Sequence, residues 1–287
     1  MGTLHVVATP IGNLEDVTLR ALRVLREADL VFAEDTRRTR VLLDHHGVSA
    51  KPVSLHAHNE AARLGKALEA LEGDGSVAIV SDAGTPLLSD PGERLVRAAA
   101  DAGHRIEPIP GASAVLVALA GAGLRAQPFT FLGFLPRKIG ARRAQIEAFR
   151  KRPETLIVFE SPRRLANTLR EFTEWLGEGR RACVARELTK LHEEFARGTL
   201  AELAEQFAEG ARGEVTLVIE GAELDIAELS ADELDDELRS RVALGQSARE
   251  IAADLAPRSG RPRRELYARV LELRDAASGQ RDAEAGS

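Results

Sequence analysis

Four short apolar runs mark the first third of the chain, at Leu4–Ala8, Leu30–Ala33, Val77–Val80 and Ile106–Ile109, with helical spacing between them. This alternation constrains the fold more than any other feature. Short, largely apolar strands joined through helices imply a mostly parallel sheet covered by those helices. Thr18–Glu27 carries Leu19, Leu22 and Leu25 at helical spacing. A helix through Arg40–Leu43 is expected to end near Gly47, and Asn59 to cap a helix carrying Leu64, Leu68 and Leu71. Asp90-Pro91 reads as an N-cap with proline at the first helical position, and Gly103 as the end of that helix.

Ala118–Leu124 is rich in Gly and Ala and leads into a second α/β unit. Its expected strands are Phe129–Gly133, Thr155–Phe159, Ala182–Arg186, Glu194–Gly198 and Glu214–Glu220, several short enough to pair antiparallel. Beyond Gly221 the chain becomes charged and helical. Ala248–Leu255, a turn at Pro257–Pro262 and Arg264–Leu273 suggest a helix-turn-helix-like hairpin. Ala276–Ser287 reads as a disordered tail. The expected division is an N-terminal α/β domain over 1–120, a second over 126–222, a basic helical module over 230–275 and a tail over 276–287.

Composition narrows the classes. The single cysteine, Cys183, excludes an intrachain disulfide and lies in a strand-like run, where a buried thiol is expected. No stretch approaches the roughly 18 apolar residues of a membrane span, and no leader is apparent, so a cytoplasmic protein is expected. The net charge of −6 argues mildly against a nucleic-acid partner, but the basic residues are clustered. Arg137, Lys138, Arg142, Arg143, Arg150, Lys151 and Arg152 form one group, and Arg258, Arg261, Arg263 and Arg264 a second.

Motifs follow the strands. Thr9-Pro-Ile-Gly-Asn-Leu14 comes directly after the first, where open parallel sheets bind ligands. Alone it reads equally well as an ordinary strand–helix turn. Ser81–Gly92 is richer, with two Asp, two Gly and two Pro behind the strongest strand. A carboxylate such as Asp82 suits a ribose hydroxyl or a cation, not a phosphate cradle. Gly-Lys-Ser/Thr and Gly-x-Gly-x-x-Gly are both absent. Pro110-Gly-Ala-Ser113 starts a helix with free amides, a common feature by itself. Mixed charges recur at strand ends in Ala33–Arg40, Glu160–Arg164 and Arg186–Lys190, which together suggest a polar cleft between domains. His56-x-His58 with His45-His46 lacks a recognisable ligand spacing, so no metal is expected.

Together, Ala8–Leu14, Ala33–Arg37, Val80–Pro86, Ser89–Gly92, Gly133–Pro136, Phe159–Arg163 and Arg186–Lys190 resemble the 16S ribosomal RNA cytidine 2′-O-methyltransferases of the tetrapyrrole methylase superfamily. The resemblance covers about residues 4–222 in order. It implies a two-domain α/β methyltransferase, usually a homodimer, holding S-adenosylmethionine in the interdomain cleft. The implied substrate is a cytidine ribose of the small ribosomal subunit.

On that reading the cofactor-binding candidates are Pro10, Gly12, Asn13, Asp82, Ala83, Gly84, Pro86, Leu87, Ala112 and Ser113, with Phe159 near the adenine. A ribose hydroxyl is a poor nucleophile, so a base or a neighbouring cation should assist its attack. Asp35, Glu187 and Lys190 are the candidates, unranked. Arg37, Arg163, Arg261, Arg263 and Arg264 are expected to hold RNA. Two alternatives remain: a carbon methyltransferase acting on a tetrapyrrole precursor, and a non-enzymatic RNA-binding module.

Overall fold

The computed structural model describes residues 1–56, 59–223 and 229–284, with side chains to Asp275 at the carboxyl end. It divides into two compact units, 1–222 and 223–287.

The first unit contains two five-stranded sheets. Strands β1 (Thr3–Val7), β2 (Leu30–Ala33), β3 (Val53–Ser54), β4 (Ser76–Val80) and β5 (Arg105–Ile109) lie in the order β3-β2-β4-β1-β5, and every pair is parallel. Helices α1 (Leu19–Glu27), α2 (Thr36–His45), α3 (Glu60–Ala70) and α4 (Glu93–Asp101) make the crossovers. The hydroxyl of Thr18 accepts from the Ala21 amide and starts α1, a cap typically contributing about 1 kcal/mol. Two apolar clusters cover the sheet, one through Leu25, Val31 and Ala78, the other through Leu4, Phe32, Ile79 and Leu95.

Two expected caps are not made. The side chain of Asn59 does not cap α3; its amide oxygen accepts from the His56 amide (2.8 Å), and its NH2 donates to the Ser54 carbonyl (3.3 Å). Helix α4 begins at Glu93, after Gly92, rather than at Asp90-Pro91. Its start is bonded from a distance: the buried Glu60 carboxylate accepts from the Leu95 amide (3.1 Å). Asp90 is thereby left free of the helix.

Helix α5 (Ala114–Ala122) joins the two sheets. The second contains β6 (Phe129–Phe134), β7 (Thr155–Glu160), β8 (Arg181–Arg186), β9 (Glu194–Thr199) and β10 (Val215–Ile219), ordered β6-β7-β10-β8-β9. Only β6–β7 is parallel; β7–β10, β10–β8 and β8–β9 are antiparallel. Helices α6 (Ile139–Glu147), α7 (Leu165–Leu176) and α8 (Leu200–Gln206) accompany it. Val115, Ala118 and Ala122 of α5 pack with Ile157, Cys183, Ala185 and Val218 of this sheet and with Ile11. The small residues of α5 permit that close approach: a Cβ on Gly121 would stand 2.3 Å from the Phe195 ring. Cys183 is fully buried here, and burial pushes its thiol up to about 11, the inert structural role expected for it.

Among the described residues the second unit has three helices, α9 (Ala231–Ala243), α10 (Ala248–Ser259) and α11 (Arg263–Glu284); the last two form the expected hairpin, and α9 precedes it. Serine–glutamate capping boxes, Ser230 with Glu233 and Ser247 with Glu250, start the first two. Leu234, Leu238, Ile251, Leu255, Leu266 and Val270 form a separate core. Helix α11 continues through residues expected to be a tail, a stretch with helix-favouring Ala, Gln, Arg and Glu and no proline, and 285–287 lie outside the described residues. Among the described residues no helix is long and apolar enough to cross a membrane.

Candidate active site

Strands β1, β2, β4 and β5 run the same way, so the loops after them meet at one edge of the sheet. A cavity of about 530 Å³ opens there, within the usual range for small-molecule sites. Ile11, Glu34, Arg38, Asp82–Thr85, Asp90 and Ser113 line it from the first sheet. Phe134, Phe159, Glu160, Leu188 and Glu214 line it from the second.

The Ser81–Thr85 turn is shaped by backbone bonds. Thr9 and Gly84 exchange two of them, at 2.9 and 3.0 Å, in an isolated bridge beyond the end of β1. The buried Ser81 hydroxyl donates to the Gly84 carbonyl (3.3 Å). Gly84 has φ +81°, and a Cβ there would stand 3.2 Å from Ile11 Cγ2. At Gly84 the turn therefore presents bare backbone to the cavity, beside the side chains of Asp82 and Thr85.

Three carboxylates share this end of the cavity. Asp82 accepts from the Asp35 amide (2.8 Å), and its other oxygen lies 3.7 Å from Arg38 Nε. Burial, then the Asp82 charge, raises the Glu34 carboxyl above its ordinary value. Burial, then the Glu34 charge, pushes Asp90 up to about 6. Because the folded-state value is raised, Asp90 favours folding only while protonated, and that contribution disappears as pH rises through about 6. Asp90→Asn should therefore melt higher than the wild type at pH 8, with the difference shrinking as pH falls through about 6 and gone only at about pH 3, below the carboxyl's ordinary value of 3.8. Thermal denaturation at the two pH values checks this, and an equal gap at both would contradict it.

Lys190 and Glu187 stand beside the cavity without lining it; their neighbours Leu188 and Glu214 do line it. Lys190 Nζ donates to Glu187 Oε1 (2.8 Å) and Glu214 Oε2 (3.0 Å), and Glu187 Oε1 also accepts from the Glu214 amide (2.9 Å). Burial opposes the ammonium charge, but the two carboxylates outweigh it and hold Lys190 above its ordinary value. Lys190, then the Glu214 amide, holds Glu187 low. Glu187 and Thr189 have φ of +49° and +65°, rare for side-chain-bearing residues and often retained at functional turns. The turn is sutured to the first sheet: the Asn13 amide donates to Thr189 Oγ1 (3.1 Å), and a Cβ on Gly12 would stand 2.4 Å from Lys190 Cγ.

Other expected site residues have local tasks. Asp35 caps α2 and pairs with Arg37, which holds its carboxyl at about 2 and leaves it a weak proton acceptor. Pro10, Gly12, Asn13, Pro86, Leu87 and Ala112 are not among the residues facing the cavity, whereas Asp82, Ala83, Gly84, Ser113 and Phe159 are. The Ala112 carbonyl instead accepts from the Thr85 hydroxyl (3.4 Å). Arg163 is exposed next to Pro162, which faces the cavity. Arg142 does not belong to a solvated basic patch: it is buried against Glu171, and Arg143 pairs with Glu147. In the second unit Arg261 pairs with Glu265, while Arg263 and Arg264 are exposed at the start of α11. Among the described residues no group of three or more His, Cys, Asp or Glu could hold a metal, and His58 lies outside them.

Sequence reasoning overlooked Glu34, Arg38, Asp90, Phe134 and Glu160 as cavity residues. All five lie within motifs at or near strand ends, so the segments were legible while the side chains that face inward were not. Asp90 in particular reads from sequence as a helix cap.

Two α/β halves closing a ligand-sized cavity at the edge of a parallel sheet define a methylase of the tetrapyrrole class, and the family model Tetrapyrrole (Corrin/Porphyrin) Methylases matches residues 3–204. The uroporphyrin-III C-methyl transferase of Thermus thermophilus, solved with S-adenosyl homocysteine, shares this fold at TM-score 0.55 and 21% identity, over 76% of this chain and 97% of that one. Within the class, the chain belongs to the ribosomal RNA small subunit methyltransferase I family. It is 48% identical to the member from Mesorhizobium japonicum, over 97% of this chain and 94% of that protein. It is 44% identical to the Synechocystis member, over 95% and 99%.

Proposed function

We propose that the protein transfers a methyl group from S-adenosylmethionine to the ribose 2′-hydroxyl of a cytidine in 16S ribosomal RNA, working as a cytoplasmic homodimer. The observation that carries the reading is the cavity itself: bare backbone at Gly84, acidic groups at Asp82, Glu34 and Asp90, and the Lys190 cluster beside it. These features fit the proposed donor. Carboxylates suit a cationic ligand, a Cβ at Gly84 would intrude on the turn, and the Phe159 ring offers an apolar face.

The cofactor supplies an electrophilic sulfonium methyl when bound. The protein's work is alignment of the hydroxyl for in-line attack. Lys190, kept cationic by Glu187 and Glu214 beside the cavity, would stabilise negative charge developing on the ribose oxygen. Glu214, which faces the cavity and bonds Lys190, can take up the hydroxyl proton; Asp35, bound to Arg37, is poorly suited to that role. The relatives at 40–48% identity, all named as ribosomal RNA methyltransferases, favour RNA over a tetrapyrrole substrate.

Purified protein incubated with S-adenosylmethionine and unmodified small subunits should methylate one cytidine ribose, located by ribose-methylation-sensitive mapping. A methyl group found on a base, or turnover only with a tetrapyrrole precursor, would reject the proposal.

The helical unit is proposed to hold RNA and to do no chemistry. Arg261→Ala/Arg263→Ala/Arg264→Ala should weaken subunit binding and flatten its salt dependence by about 0.7–0.9 log units per decade for each phosphate left without its arginine. Binding measured from low to moderate salt checks this. An unchanged slope would remove the unit as an RNA anchor.

A further inference from the structure

Gly133-Phe-Leu-Pro136 is a motif that the chemistry above leaves without a task. At its centre, Phe134 is 61% exposed on the wall of the cavity, an unfavourable place for a benzyl side chain without a partner. The fold is built to put it there. Between Phe131 and Phe134 the β6–β7 register slips: Phe131 faces Ile157 but Phe134 faces Phe159, so β6 carries one extra residue. Such bulges re-aim a side chain near a site. Gly133 makes the bulge possible at φ +65°, and a Cβ there would stand 2.8 Å from Ser89 Oγ.

The segment that follows is braced. Buried Arg142 donates to the Pro136 and Arg137 carbonyls (2.9 and 3.1 Å) while both Glu171 oxygens hold its guanidinium (2.7 and 2.5 Å). Phe134 meets the inner ring of Phe159 at 5.5 Å between centroids, tilted by 57°, which leaves most of its surface open. Arg137 and Lys138, three and four residues on, are exposed and make no ion pair among the described residues. An exposed ring beside unpaired cations matches an unpaired nucleotide, with a π-face to stack and a phosphate to neutralise.

We infer that Phe134 is a positioning residue on which the base of the target nucleotide stacks, presenting its ribose to the cavity, with Arg137 and Lys138 available to the adjoining phosphate. The inference rests on the RNA-methylation reading above.

The test compares full-length wild type, Phe134→Leu and Phe134→Trp. The measurements are calorimetric S-adenosylmethionine affinity, solution mass, and kcat and KM on unmodified small subunits. Leucine keeps apolar bulk and folding but removes the π-face. It should lower kcat/KM by roughly 5- to 150-fold with cofactor affinity unchanged, and tryptophan should restore activity to within about threefold. Wild-type kinetics in the leucine variant would overturn the stacking role. Cofactor affinity weakened about tenfold would instead make Phe134 an adenine platform, and a changed solution mass would make it a subunit contact; both overturn the inference. Inactive wild type would reject the methylation reading itself, an outcome separate from all three.

Discussion

Lys190→Ala should lower methyl transfer to small subunits by about 100-fold or more while S-adenosylmethionine affinity stays within about threefold. The expected size follows from what the ammonium replaces. A ribose hydroxyl loses its proton reluctantly, and a fixed cation near the developing alkoxide acts mainly in the transition state. Lys190 is held by Glu187 and Glu214, and burial is outweighed, so its charge persists across the working pH range. The side chain also packs against Gly12, so alanine could act through weakened packing. Lys190→Met separates the two roles by keeping the stem and removing the charge. It should be as inactive as alanine but, with the stem packing kept, no less heat-stable than Lys190→Ala. Gly12→Ala gives the converse: the charge remains, but a Cβ 2.4 Å from Lys190 Cγ and 3.0 Å from the Leu188 carbonyl displaces it, so activity should fall with the cation still present. Single-turnover methylation and calorimetry check all three. Near-normal turnover by Lys190→Met would return the Lys190 turn to a purely structural role.

Gly84→Val should reduce S-adenosylmethionine affinity by about 100-fold or more. A β-branched residue at φ +81° is strained, typically by about 1–2 kcal/mol, and its Cβ would meet Ile11 Cγ2 at 3.2 Å. The turn cannot relax easily, because Gly84 is tied to Thr9 through both its amide and its carbonyl and to Ser81 through a hydroxyl. The predicted loss is therefore local to the cavity backbone. Gly84→Ala, with the same φ problem but less bulk, should lie between the two. Calorimetric titration checks the series, with far-ultraviolet dichroism verifying the fold. Unchanged affinity in a folded valine variant would remove this turn from the cofactor site.

The strands were legible because each is short, apolar and followed by a loop. Val77–Val80, expected from its residue pattern, is β4 almost residue for residue, and Leu30–Ala33 is β2. The glycine ends at Gly47 and Gly103 were legible too, since a left-handed residue after a helix is a local requirement. The start of α4 was misread because its tie comes from Glu60, 35 residues earlier in the chain. For the same reason Asp90 was taken for a cap and missed as a cavity residue. Arg142 was counted as a surface charge because sequence reveals clustering but not the Glu171 partner that buries it.

The sequence alone determined the alternation of strands and helices, the convergence of glycine-rich turns at strand ends, and the motif set that marks the family. These depend on local geometry, where periodicity and φ preference act within a few residues. Tertiary structure decided which polar residues are available for chemistry. It sank Arg142 into the protein against Glu171, bound Lys190 to Glu214, and left Asp90 and Phe134 facing the cavity. Those outcomes turn on charge pairing and burial between residues far apart in the chain. A carboxylate, a guanidinium or a ring has no fixed role until its neighbours are in place.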